Sequence, residues 1–149
     1  MTIAVDFDGT IVEHRYPEIG APIPFAIETL AQLIADGHKI ILWTVREGEL
    51  LDQAVRYLCM NGVEPYAVNS SYPNASWSGA GISRKLSADV YIDDRNLGGL
   101  PDWGSIYEMI SSGQCFSGSV SGTRRKSKKK NIFKKIKERC MESRNRIHR

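Results

Sequence analysis

Three cysteines and three histidines in 149 residues are too few and too scattered to build the chain around covalent or zinc crosslinks. Cys59, Cys115 and Cys140 are odd in number, widely spaced and without a CxxC pair, which argues against a disulfide framework or a thiolate zinc site and fits reduced thiols. His14, His38 and His148 lack metal-ligand spacing, so none is assigned a role. No stretch approaches the roughly 18 uninterrupted apolar residues of a membrane span. Asp6, Asp8, Glu13, His14 and Arg15 interrupt the start of the chain, so neither a signal peptide nor a membrane segment is expected, and the expected location is the cytoplasm. What is present is 42% apolar content over a length suited to one compact domain.

The net charge of +3 conceals an asymmetry, because residues 1–122 carry 7 Lys+Arg against 15 Asp+Glu and residues 123–149 carry 13 against 2. An acidic body is followed by a strongly basic appendage. The break predicts a core over 1–116, a Ser/Gly-rich linker over 117–123 and a basic tail over 124–149. Within the tail, Ile132, Ile136, Cys140 and Ile147 would fall roughly along one face if the segment formed a basic amphipathic helix. Three readings stand side by side: a contact with anionic membrane lipid, a contact with nucleic-acid phosphates, or a solubilising disordered tail. Tyr and Trp, which would offer platforms for stacking bases, are absent from it.

Along the body, apolar runs of strand length alternate with helical stripes. Residues 2–7 predict a buried strand stopped by Asp8-Gly9. Ile23, Ala26, Ile27, Leu30, Leu33 and Ile34 then recur at helical spacing up to Gly37, a C-terminal capping signal. Lys39–Thr44 predicts a second strand, residues 49–61 a second helix closed by Gly62, Tyr66–Val68 a short strand, and Ala88–Ile92 another that runs into Asp93-Asp94. Asp102 caps a last predicted helix ending near Ser112. Such alternation implies right-handed βαβ crossovers and an α/β fold, a doubly wound parallel sheet covered on both faces. Ligands in such sheets bind beyond the carboxyl ends of the strands. Asp6, Asp8, Thr44, Asp93 and Asp94 all lie there.

Four carboxylates brought to one place repel one another unless a cation neutralises them. All-oxygen ligation favours Mg²⁺, a hard ion that keeps several waters and binds readily beside a phosphate. The segment Asp6-Phe7-Asp8-Gly9-Thr10 resembles the DxDGT signature of the haloacid dehalogenase superfamily, at the end of a first strand as in that family. Thr44, Lys85 and Asp93-Asp94 follow in the order of its second, third and fourth motifs, so the resemblance spans roughly residues 1–110.

The resemblance implies a Rossmann-like core and a Mg²⁺-dependent phosphohydrolase that cleaves a phosphate monoester. Asp6 would be the nucleophile, forming an aspartyl-phosphate and also ligating the metal. Asp8 would protonate the leaving oxygen and later deprotonate the attacking water, its backbone carbonyl being a second metal ligand. Thr44 and Lys85 would hold the phosphoryl oxygens. Asp93 would be the side-chain metal ligand and Asp94 a supporting or alternative one, and Thr10 would orient Asp8 and the turn. Asp8 itself favours phosphate-ester hydrolysis over carbon–halogen cleavage.

Only 38 positions separate Asp6 from Thr44 and 41 separate Thr44 from Lys85, leaving no room for a cap domain. In this family an uncapped site commonly goes with macromolecular substrates, such as a polynucleotide end, or with a neighbouring subunit of a homo-oligomer serving as lid. Small phosphorylated molecules also fit. Arg46 reads either as a fork for a substrate phosphate or carboxylate or as a surface residue pairing with Glu47 or Glu49. Arg95 and Asn96 read as site or turn residues, and Glu13, His14 and Arg15 as flap residues in solvent or against substrate. A receiver-like signalling module uses similar groups, but it carries its paired acids before its acceptor aspartate, the reverse of the order here.

Overall fold

The computed structural model describes residues 1–73 and 85–113; the linker and the basic tail expected over 117–149 lie outside the described residues. Two compact units divide the chain, Met1–Pro101 and Asp102–Arg149. The first holds a four-stranded parallel sheet in the order β3-β2-β1-β4, built from β1 (Thr2–Val5), β2 (Lys39–Leu42), β3 (Ala67–Val68) and β4 (Val90–Ile92), together with helices α1 (Ala26–Ala35) and α2 (Gly48–Met60). An α/β Rossmann-like architecture therefore stands.

β1 runs between β2 and β4, with Val5 opposite both Leu42 and Ile92. The steps from β1 to β2 and from β2 to β3 march in one direction, so right-handed crossovers put α1 and α2 on the same face. Alternate strand residues serve the two faces. On one side Phe7 meets Tyr57 of α2 edge to face, with ring centroids 5.9 Å apart. The opposite face is lined by Ala4, Ile41 and Ala67 and closed by Leu86, with Tyr66, Ala88 and Tyr91 packed around it.

α2 keeps the length expected over 49–61, shifted by one residue, while the first helix and the strands are shorter than their apolar runs predict. α1 starts at Ala26 because the Ile23 amide is committed to the Ile11 carbonyl, where a short hairpin closes ahead of the helix. It ends where Gly37 takes φ +85°, a conformation that suits glycine. β4 starts at Val90 instead of Ala88, since the Ala88 amide donates to the Tyr91 hydroxyl.

In the second unit, α3 (Trp103–Ser111) has Asp102 as its N-cap: one carboxylate oxygen accepts from the Ser105 amide at 3.0 Å and the other from the Ser105 hydroxyl at 2.7 Å. Trp103, Ile106 and Ile110 are its buried apolar face. Among the described residues no helix is long and apolar enough to cross a membrane. Cys59 is an exposed free thiol, while Cys115 and Cys140 lie outside the described residues.

Candidate active site

The strand register assembles the acidic groups. Val5 pairs with Ile92, so the next residue on each strand, Asp6 and Asp93, emerge side by side at the carboxyl edge, and the Asp6 amide donates to the Ile92 carbonyl at 3.0 Å. Carboxylate oxygens of Asp6, Asp93 and Asp94 come within 4.8 Å of one another. Stretches of chain more than 80 residues apart thus converge on one point.

Thr10 ties the two stretches together. Its buried hydroxyl donates to Asp6 Oδ2 at 3.2 Å and accepts from the Asp94 amide at 3.0 Å. Its expected partner was Asp8; the structure gives it Asp6 and Asp94, because the turn at Gly9 carries Thr10 back under β1. That turn has the Gly9 amide bonded to the Val12 carbonyl at 2.7 Å, with Gly9 at φ +94°. A Cβ at Gly9 would lie 2.5 Å from Asp94 Oδ2. Glycine here serves both the left-handed backbone and the close approach of a carboxylate.

Asp93 and Asp94 differ in their surroundings. One Asp93 oxygen accepts from the Arg95 amide at 2.8 Å, closing the turn after β4, in which the Asn96 amide also bonds to the Asp93 carbonyl. Arg95 and Asn96 are accordingly turn residues. Oδ1 of Asp94 is buried and meets no donor. A buried carboxylate oxygen without a partner is costly, and a cation held by the three carboxylates would supply what it lacks. The donor set, oxygen only and partly buried, fits a hard divalent ion such as Mg²⁺.

Burial, and behind it the charges of Asp93 and Asp94, push the Asp6 carboxyl up to about 6 from its usual 3.8, against the opposing hydrogen bonds from the Phe7 backbone and Thr10. Between those values the folded chain binds more protons than the unfolded one, so without metal its stability falls as pH rises through this window. Below about 6, a cation must displace the proton from Asp6. Mg²⁺ is therefore expected to raise the melting temperature clearly at about pH 7.5 and far less at about pH 5. Thermal melts with and without the ion check this, and an equal shift at both pH values would contradict it.

Asp8 stands apart from this cluster. It is 7% exposed, and its two oxygens accept from Arg46, Oδ2 from Nε and Oδ1 from Nη2, both at 2.7 Å. Arg46 is wholly buried. Its remaining donors reach the backbone carbonyls of Pro17 at 2.8 Å and Glu18 at 2.9 Å. It is not a surface arginine pairing with Glu47 or Glu49: four of its five side-chain N–H groups are engaged by Asp8 and the two carbonyls. The hydrogen bonds to Asp8 raise its proton affinity further. Removing one partner of such a buried pair costs on the order of 3–5 kcal/mol, because the other charge is left alone.

Thr44 is buried just past β2, its amide donating to Asn69 Oδ1 at 2.8 Å and its hydroxyl accepting from the Arg46 amide at 3.2 Å. Asn69, at φ +47°, went unnoticed in the sequence; its place directly after the short strand β3 was the available signal. Lys85 is exposed on the segment leading through Leu86 into β4. Glu13, His14 and Arg15 are exposed, with Arg15 and Glu13 3.7 Å apart.

No family model matches the chain, and no curated protein matches it. A solved structure of a conserved protein from Bacteroides thetaiotaomicron is similar at 59% identity, over 82% of this chain and 98% of that one, with a TM-score of 0.73. A second, of D,D-heptose 1.7-bisphosphate phosphatase from B. bronchiseptica complexed with magnesium and phosphate, is 16% identical over 56% of this chain and 55% of that one; at a TM-score of 0.37 the likeness is too slight to bear on this protein. Identity of this extent over nearly the whole of the first structure places the chain in the same family as the Bacteroides thetaiotaomicron conserved protein.

Proposed function

We propose that this protein is a Mg²⁺-dependent phosphohydrolase of the haloacid dehalogenase type, without a cap domain, that cleaves phosphate monoesters through an aspartyl-phosphate on Asp6. The observation that carries the reading is the meeting of Asp6, Asp93 and Asp94 within 4.8 Å at the carboxyl edge of a parallel sheet. These carboxylates and the backbone carbonyl of Asp8 would hold the ion. Bound there, Mg²⁺ supplies positive charge to the phosphoryl oxygens.

Asp6 attacks phosphorus as the bond to the ester oxygen breaks, and Asp8 gives that oxygen its proton. Water then attacks the aspartyl-phosphate, its proton passing to Asp8, and phosphate leaves with both carboxyl groups restored. Thr44 and Lys85 hold the non-bridging oxygens, where negative charge gathers. Asp94 is the preferred side-chain ligand of the pair that follows β4, since its buried oxygen has no other partner while Asp93 closes a turn. The substrate class is a phosphorylated small molecule or a polynucleotide end, and the basic tail, outside the described residues, is the candidate contact for nucleic acid or anionic membrane.

The test is turnover of a generic aryl phosphate by the full chain with Mg²⁺, after chelation, and after Mg²⁺ is restored. Activity that appears, vanishes and returns supports the reading. Turnover indifferent to chelator, or none on any phosphate ester, removes it.

A further inference from the structure

Arg46 has no part in the reaction just described, yet it is wholly buried and gives four hydrogen bonds, two to Asp8 and two to a hairpin. That hairpin leaves β1 after Asp8, and its arms are joined where the Glu13 amide meets the Ala21 carbonyl at 2.8 Å. Its tip holds Pro17 and Glu18, whose carbonyls face the guanidinium, while the Phe7 and Tyr16 rings lie 5.2 Å and 5.3 Å from the guanidinium carbon. The hairpin closes tightly: a Cβ at Gly20 would lie 2.1 Å from the Glu13 carbonyl oxygen. Arg46 therefore sits at a joint between Asp8 and the hairpin tip.

We infer that Arg46 is a positioning residue that sets the plane and direction of the Asp8 carboxyl and fixes it to the hairpin, so that proton transfer to the leaving oxygen depends on this clamp. The inference rests on the phosphohydrolase reading above and adds to it a residue that acts through Asp8 without touching substrate. A two-point fork fixes a carboxyl plane, whereas a single ammonium contact leaves it free to turn. Proton donation is sensitive to such turning, because donor and acceptor must meet within hydrogen-bond reach. The proton given to the leaving oxygen comes from the Asp8 carboxyl and is replaced by one from water in the second half of the cycle, so Arg46 itself gains and loses none.

Leaving groups separate this role from a merely structural one. An alkoxide needs a proton as it departs, and a nitrophenolate does not. In Arg46→Lys, kcat/KM for an alkyl phosphate, which covers only the steps up to departure of the leaving group and so leaves out the water step that both esters share, is expected to fall roughly 30-fold, within what a positioned proton donor contributes, while kcat/KM for p-nitrophenyl phosphate falls no more than about threefold. Equal losses on both esters would make Arg46 structural. A rise in KM for both would make it a substrate fork. Either result overturns the inference while leaving the phosphohydrolase reading intact, whereas a parent protein inactive on both esters removes that reading itself.

Should Arg46→Lys not fold, Asp8→Asn, whose amide oxygen still accepts from Arg46, and Asp8→Asn/Arg46→Gln, which leaves no buried charge at this joint, carry the same test. The second substitution should then change neither rate more than about twofold, and a further large loss would show that Arg46 acts other than through Asp8.

Discussion

Asp6→Asn is expected to lower kcat by roughly 10⁴-fold or more, while the metal-free protein melts no lower at about pH 7.5 than its parent. An amide has nearly the shape of the carboxylate and keeps an oxygen to accept from the Thr10 hydroxyl, which lies 3.2 Å from Asp6 Oδ2. It has no lone pair basic enough to attack phosphorus. It also lacks the charge whose burial beside Asp93 and Asp94 raises the Asp6 carboxyl to about 6. Loss of activity with retained or improved stability would locate the defect in chemistry. An Asp6→Asn protein that still turns over substrate would remove Asp6 as nucleophile.

Gly9→Ala comes next in size, with turnover down on the order of 10²-fold and the Mg²⁺-dependent rise in melting temperature lost. The methyl group would lie 2.5 Å from Asp94 Oδ2 and 2.8 Å from its Cγ. With its amide bonded to the Thr10 hydroxyl at 3.0 Å, Asp94 would relieve the clash by turning its carboxylate, which takes that group out of the cluster. An alanine at φ +94° also carries backbone strain of about 1–3 kcal/mol. Gly62→Ala is the control: at φ +78° it is similarly strained, but nothing lies within 4 Å of its Cβ. It should lose stability and keep activity, so a pair of variants equally impaired in turnover would refute the steric account.

The acidic cluster was legible in the sequence because its members stand at the ends of apolar runs, where a parallel sheet gathers them. What decides their contacts is less visible. Arg46 lies in the polar run Val45-Arg46-Glu47-Gly48-Glu49, which points to a surface loop, and its true partner is 38 positions away. The resemblance implied that Thr10 orients Asp8 and the turn; the turn at Gly9 brings its hydroxyl to Asp6 and Asp94. Distinguishing Asp93 from Asp94 requires knowing which oxygen is buried without a donor, and adjacent identical residues give no hint of that. Strand ends were overrun because apolar character continues past the last ladder bond: Trp43 extends the run of β2 and still donates to the Val5 carbonyl, but lies beyond the strand proper.

The junction of β1 and β4 has one more consequence. Three mutually repelling carboxylates sit where those strands meet, and the hydroxyl of Thr10 reaches across 84 positions to close the gap. Apart, β1 and β4 would offer no such cluster, so an ion held there as proposed would need both strands in place. Such an ion would tie the edge strand β4 to its neighbour β1, a stabilising part alongside its proposed handling of phosphate.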